Sequence, residues 1–342
     1  MTIGIDATYS FGPNLSGVGV YSREILNGLA RLHPEVHWLR YYRSPRYWQS
    51  FSTLPHARRR LLLDSFGFRS PDLFHGLNQR LPKKPFRRQI ATFHDLFVLT
   101  GDYSTAEFRS RFAAQARRAA AQADRLIAVS EFTASQIQGL LNVPRAKITV
   151  IPHGVTPLLI PALPREKIVL NVGAIQIRKN ISRLVRAFQS LPSDWTLVLA
   201  GSSGFGSQSI LNEIAANPAR DRIRVTGYIN SAQLARWYAR ASIFAFPSLD
   251  EGFGMPILEA MAAGVPVITS NRSAMPEVCG GAGLLVSPDV ESEIAVALRL
   301  LADDPSLREN LIRKGHARAK EFTWDKAACA TWDAYRPFLE PD

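Results

Sequence analysis

The sequence predicts an α/β protein made of two Rossmann-like domains, each a parallel sheet wound with helices on both faces. Three observations carry that prediction. Short, near-continuous apolar runs alternate with longer amphipathic segments in two successive series, the pattern of strands buried between crossover helices. Pro157, Pro161 and Pro164 fall between the two series and interrupt any regular element, which marks a linker. A chain of 342 residues is also long enough to fill two cores.

In the first series the apolar runs predict strands over Thr2–Ala7, His37–Tyr42, Leu73–His75, Gln89–His94, Arg125–Ser130 and Lys147–Pro152. Helices are predicted over Gly19–Leu32, Ala106–Gln122 and Glu131–Leu141, the last with Ser130 as its N-cap. The second series gives strands Lys167–Gly173, Thr196–Gly201, Ile223–Gly227, Ser242–Phe246, Val265–Thr269 and Gly283–Val286. Its helices are Ile181–Leu191, Ser209–Ala216, Ala232–Ala241, Ile257–Ala263 and Val290–Ala302, and Leu307 to Phe338 reads as helical. The domains are therefore expected at 1–160 and 166–322.

Composition excludes several classes. No run approaches the ~18 apolar residues of a spanning helix, and Thr2 to Ala7 alternates like a strand rather than a signal peptide. Cys279 and Cys329 make no disulfide framework or metal pair, so a reducing cytoplasm is expected. Charge is lopsided: residues 1–165 hold 22 Lys+Arg against 10 Asp+Glu, whereas the remainder balances at 19 each. A basic first half suits nucleic acid, an anionic membrane or an acidic small molecule.

The chemistry concentrates in Phe246 to Thr269. A buried strand stops at Pro247-Ser248, Glu251-Gly252-Phe253-Gly254 makes a turn, and Pro256 stands where a helix should begin. Strand, glycine turn and helix start together collect unpaired backbone N–H groups, an anion site to which Gly252, Phe253, Gly254 and Met255 contribute. Glu251 and Glu259 bracket it. Carboxylates repel a bare phosphate, so they fit hydroxyls flanking one: a nucleoside diphosphate sugar. The plain alternative is a helix start that favours acids for dipole reasons.

Glu251 and Glu259, with seven residues between them inside EGFGMPILEAMAAGVPVI, resemble the E-x7-E motif of retaining GT-B glycosyltransferases. The surrounding residues are similar to bacterial glycosyltransferase family 4 enzymes of the mannosyltransferase-like branch, and weaker similarity runs along essentially the whole chain. The resemblance implies two Rossmann-like domains facing each other across a cleft, the first for the acceptor and the second for the nucleotide-sugar donor. It also implies that a final helix, about 324–338, crosses back onto the first domain.

Further motifs take their meaning beside that resemblance. Asn14 to Val20, NLSGVGV, follows the first strand, and its glycines would allow positive φ and close approach to a ligand. It lacks the third glycine of the dinucleotide fingerprint, which argues against a dehydrogenase. In the family this loop lies below the diphosphate and carries two glycines; Ser16 replaces the first here, leaving Gly17. Thr92-Phe93-His94-Asp95 closes a strand, where parallel sheets place ligands. By resemblance His94 would touch the transferred sugar, and Asp95 would orient that imidazole or meet the acceptor. A histidine satisfied by a neighbouring carboxylate is the plain alternative. Gly173 to Asn180, GAIQIRKN, resembles the family's diphosphate-binding pair through Arg178 and Lys179, a fork and a point charge suited to phosphate. Tyr228 and Ile229 stand where the family's base lies, and His153 replaces the Asn of a Pro-Asn-Gly-Val hinge.

The expected activity is retaining transfer of a hexose, best read as mannose from GDP-mannose, to a glycan or lipid-linked acceptor in bacterial surface polysaccharide synthesis. No D-x-D tripeptide and no metal-ligand spacing occurs, so no metal and no cofactor are expected, with Arg178, Lys179 and backbone amides meeting the leaving-group charge. Arg40 to Trp48, Arg58-Arg59-Arg60, Lys83-Lys84 and Arg87-Arg88 mix cations with aromatics, which suits the inner face of a membrane or an anionic lipid-linked acceptor. A solvated surface is the alternative. A nucleotide-sugar epimerase of the same fold would need further acid–base residues near His94. A nucleic-acid-binding protein is suggested only by the basic half.

Overall fold

The computed structural model describes residues 1–12, 15–44, 46–53, 58–63 and 71–339. Asn14 and Pro45, named above, lie outside the described residues. The chain divides into two compact units, Met1–Gly154 with Thr323–Asp342, and Val155–Phe322.

The first unit is built on seven parallel strands: β1 (Thr2–Asp6), β2 (His37–Tyr42), β3 (Arg59–Leu61), β4 (Leu73–Gly76), β5 (Gln89–Phe93), β6 (Arg125–Ala128) and β7 (Ile148–Val150). Their order is β3-β2-β1-β4-β5-β6-β7. Every residue of β4 and β5 is buried, which explains why apolar residues dominate them. The sequence expectation did not include β3, a helix over Arg46–Thr53 or a short helix over Phe97–Thr100. Strand β3 lies at the sheet edge and its Arg59 and Arg60 pair with Arg40 and Tyr41, so it carries charge where central strands carry Val or Ile.

The stretch read as one helical run from Leu307 breaks at Thr323, which caps the Trp324–Tyr335 helix. That helix lies in the first unit against the Gly17–Leu32 helix. A Cβ on Gly28 would stand 2.8 Å from the Ala328 Cβ, so a side chain there has no room. Tyr335, Ala327 and Ala334 join Ile25, Leu29 and Tyr21 in one buried cluster. Gly154 closes the unit under equal constraint: a Cβ there would fall 2.3 Å from the Trp324 backbone nitrogen.

The second unit has six parallel strands: β8 (Glu166–Val172), β9 (Thr196–Ala200), β10 (Ile223–Gly227), β11 (Ala241–Phe246), β12 (Val267–Ser270) and β13 (Leu284–Val286). Their order, β10-β9-β8-β11-β12-β13, is the doubly wound order of a dinucleotide-type domain. Winding reverses between β8 and β11, so the carboxyl ends of these two neighbours flank the crevice where such sheets bind ligands.

Candidate functional site

The loops after β8 and β11 meet at that reversal. After β8 the chain turns at Gly173, whose φ of 145° suits glycine, and enters a tight turn over Ile177–Lys179. Asn180 ends the turn in the left-handed region at φ 58°. Its amide donates to the carbonyls of Pro247 (3.0 Å) and Pro288 (2.7 Å), tying the turn to the β11 loop. The Leu249 N–H donates to the Arg178 carbonyl at 2.8 Å, a second tie.

These ties bring three charged side chains together in a nearly closed place. Glu251 Oε1 lies 2.9 Å from Arg178 Nη1 and 2.6 Å from Lys179 Nζ, and each residue is only 8% exposed. Arg178 also donates to the Asp250 carbonyl, and the Lys179 ammonium sits 4.5 Å from the centre of the Phe246 ring. Burial alone would raise the Glu251 carboxyl, but the Arg178 and Lys179 charges and hydrogen bonds outweigh it and bring it down to about 2. One carboxylate among two cations leaves a net positive charge on the cluster.

The helix after the turn runs Met255–Ala262, so it starts one residue before Pro256. Gly254 is its N-cap at φ 98° and, being glycine, offers no side chain to the first-turn amides. Glu259, one turn inside, accepts a hydrogen bond from the Tyr238 hydroxyl at 3.0 Å. Burial pushes its carboxyl up, with the Tyr238 bond opposing. The two acids therefore differ: Glu251 is a firmly ionised partner of cations, and Glu259 a harder-to-ionise group on a neutral donor. Tyr228 is half exposed just beyond β10, next to Ile229.

In the first unit Gly17 opens the Gly17–Leu32 helix behind its N-cap Ser16. Neither Gly17 nor Gly19 uses the positive φ that a glycine allows. What Gly19 provides is closeness, since a Cβ would stand 2.9 Å from the Tyr9 carbonyl oxygen. His94 follows β5 and is buried, and its Nε2–H donates to the Leu77 carbonyl at 2.9 Å. Its Nδ1 faces His153 Nε2 at 3.4 Å. Leu77 and His153 thus both hold the imidazole. Burial lowers His94 to about 4, against the Leu77 bond, so the ring is neutral near pH 7.

Sequence reasoning passed over the groups behind His94. His75 joins the Tyr335 hydroxyl (2.6 Å) and Thr92 Oγ1 (2.9 Å), and Thr92 meets the Tyr21 hydroxyl at 2.9 Å. The Tyr21 ring lies edge-on to His94, with centroids 4.7 Å apart. A usable signal was present: His75, His94 and His153 all sit at or just after the carboxyl ends of parallel strands of one sheet. Asp250, Asn180 and Tyr238 were likewise missed, because nothing in their spacing marks them. Among the described residues no helix is long and apolar enough to cross a membrane.

Two doubly wound units, the second with buried cations and an acid at its switch point, define the class: a GT-B glycosyltransferase. Residues 161–318 match the family described as glycosyl transferases group 1, and residues 15–157 match Glycosyltransferase Family 4. The chain is 34% identical over 283 residues to O-antigen chain mannosyltransferase B of Escherichia coli, covering 77% of this chain and 74% of that one. It is 32% identical over 246 residues to D-inositol 3-phosphate glycosyltransferase of Streptomyces avermitilis, covering 64% of this chain and about half (53%) of that one. In fold it is similar to sucrose-phosphate synthase of Thermosynechococcus elongatus, with a TM-score of 0.76 at 23% identity over 99% of both chains. The protein belongs to glycosyltransferase family 4.

Proposed function

We propose that the protein is a retaining mannosyltransferase that uses GDP-mannose, needs no metal, and extends a glycan or lipid-linked acceptor of a bacterial surface polysaccharide. The observation that carries the reading is the Arg178–Lys179–Glu251 cluster at the switch point of the second sheet. The mannose assignment is supported by the likeness to an O-antigen mannosyltransferase. Arg178 and Lys179 bind the diphosphate together with the amides of Gly252 to Met255, and Gly173 lets the chain pass close beneath. Charge grows on the leaving phosphate as the glycosidic bond stretches. Fixed donors aimed at such charge are worth roughly 3–4 kcal/mol each, enough to serve where a metal otherwise would.

In this reading Glu251 accepts hydrogen bonds from the sugar hydroxyls, Glu259 from the ribose, and Tyr228 with Ile229 supports the base. The roles of Gly17 beside the diphosphate, of His94 at the sugar and of Asp95 toward the acceptor rest on the family pattern. The leaving phosphate takes the acceptor proton on the face that it leaves. A thermal-shift screen of nucleoside diphosphates tests the donor, since only a specific ligand of the folded protein raises its melting temperature. GDP should shift it, and a shift with UDP or dTDP alone would replace the mannose assignment. NMR of the product reads the anomeric configuration, and unchanged turnover in EDTA tests metal independence. Isomerised nucleotide sugar formed without acceptor would point to an epimerase instead.

A further inference from the structure

The diphosphate reading has a consequence for Glu251 that a role in sugar binding alone does not contain. One oxygen of its carboxylate, Oε1, touches both cations, at 2.9 Å from Arg178 and 2.6 Å from Lys179. That is how a non-bridging phosphate oxygen would be held: anionic, and shared between a guanidinium and an ammonium. A diphosphate bound to both cations must take that place or sit beside a second negative oxygen, in surroundings with little water to screen the repulsion.

We propose that Glu251 is an internal counter-ion that makes the site prefer a nucleoside diphosphate sugar over the bare nucleoside diphosphate; this rests on the diphosphate reading above. When a donor enters, its phosphate displaces the carboxylate from the two cations, and the hexose hydroxyls beside that phosphate supply the donors which the carboxylate has lost. A bare diphosphate displaces the same carboxylate and offers nothing in return. The released product therefore competes with Glu251 for Arg178 and Lys179, and is driven off.

The cations do not depend on Glu251 to stay in place. Arg178 is fixed by the Asp250 carbonyl, and its own carbonyl holds the Leu249 N–H. Lys179 lies over the Phe246 ring, and a Cβ on Gly173 would stand 3.2 Å from its Cε, which measures how closely the stem is packed. Replacing Glu251 by a neutral isostere thus takes one carboxylate charge away from two cations that stay anchored.

The test is calorimetric binding of GDP and of inorganic pyrophosphate, which lacks the base, to wild type, Glu251→Gln, Glu251→Asp and Arg178→Ala, with folding checked by circular dichroism. Glu251→Gln is expected to bind both at least tenfold more tightly than wild type while its turnover of GDP-mannose falls. Glu251→Asp, which keeps the charge, is expected to gain less than threefold. Equal or weaker binding by Glu251→Gln, while Arg178→Ala still loses GDP, overturns the proposal and leaves the diphosphate reading standing. Binding that ignores Arg178→Ala as well removes both. Should Glu251→Gln not fold, wild type decides: GDP-mannose without acceptor should bind more tightly than GDP, and the reverse order overturns the proposal.

Discussion

Replacing Arg178 by Ala separates the cluster's part in catalysis from its part in stability. Arg178 is 8% exposed and its guanidinium touches the Glu251 carboxylate at 2.9 Å. Removing one partner of a buried pair typically costs ~3–5 kcal/mol, because the other charge is stranded. Here Lys179 remains 2.6 Å from the same oxygen, so the loss should fall to about 1–3 kcal/mol. In a unit of this size that lowers the melting temperature by about 2–10 °C, and the variant stays folded at 25 °C. Catalysis should suffer far more. One lost donor to a developing anion typically lowers kcat roughly 100- to 1000-fold. GDP release under saturating GDP-mannose and acceptor measures it, and Arg178→Lys, with the charge but not the fork, should recover only part. A folded Arg178→Ala protein with kcat within tenfold of wild type would refute the reasoning.

Other perturbations probe separate links. Tyr238→Phe removes the hydroxyl that bonds Glu259 at 3.0 Å, so Glu259 becomes harder to ionise; donor KM should rise several-fold with kcat nearly unchanged, and a large kcat loss would reassign Glu259. Burial lowers His94 to about 4 and His75 to about 3, so between pH 6.5 and 4 the unfolded chain binds more protons than the native one, and stability falls with pH through that window. The loss is on the order of 3 kcal/mol per histidine at full shift, and a melting temperature flat from pH 7 to 4.5 would contradict it. Trp48 is 68% exposed on the Arg46–Thr53 helix beside half-exposed Phe51, with the Arg59 guanidinium 4.2 Å from that ring's centre. Sedimentation with vesicles rich in anionic lipid should fall for Trp48→Ser and in high salt, and equal sedimentation of both proteins would make the patch plain solvated surface.

How much of this was legible in the sequence depended on whether the signal was local. Apolar runs marked every central strand, because β4, β5, β11 and β12 are buried almost throughout and admit only a few polar side chains, such as His75 and Thr92, which bond each other. Edge strand β3 was invisible for the opposite reason: Arg58 to Arg60 look like a solvated charge run until β2 is seen beside them. The pairing of Glu251 with Arg178 and Lys179 spans about a fifth of the chain, yet each end of it followed a strand predicted in the same sheet. Parallel topology then carried the two loops to one point. The contacts of His94 needed the register of four strands at once, so Leu77 and His153 could not be read from local spacing. Gly17 and Gly19 left the backbone of their loop open in the sequence, and the structure closes the question because Ser16 caps the helix early and both glycines fall inside it.

A structure of the protein soaked with GDP bears most directly on the central claim. Diphosphate oxygens should lie within hydrogen-bonding reach of the Arg178 guanidinium and the Lys179 ammonium, at the carboxyl ends of β8 and β11. Diphosphate bound at any other place, with the Arg178–Lys179–Glu251 cluster undisturbed, would contradict it.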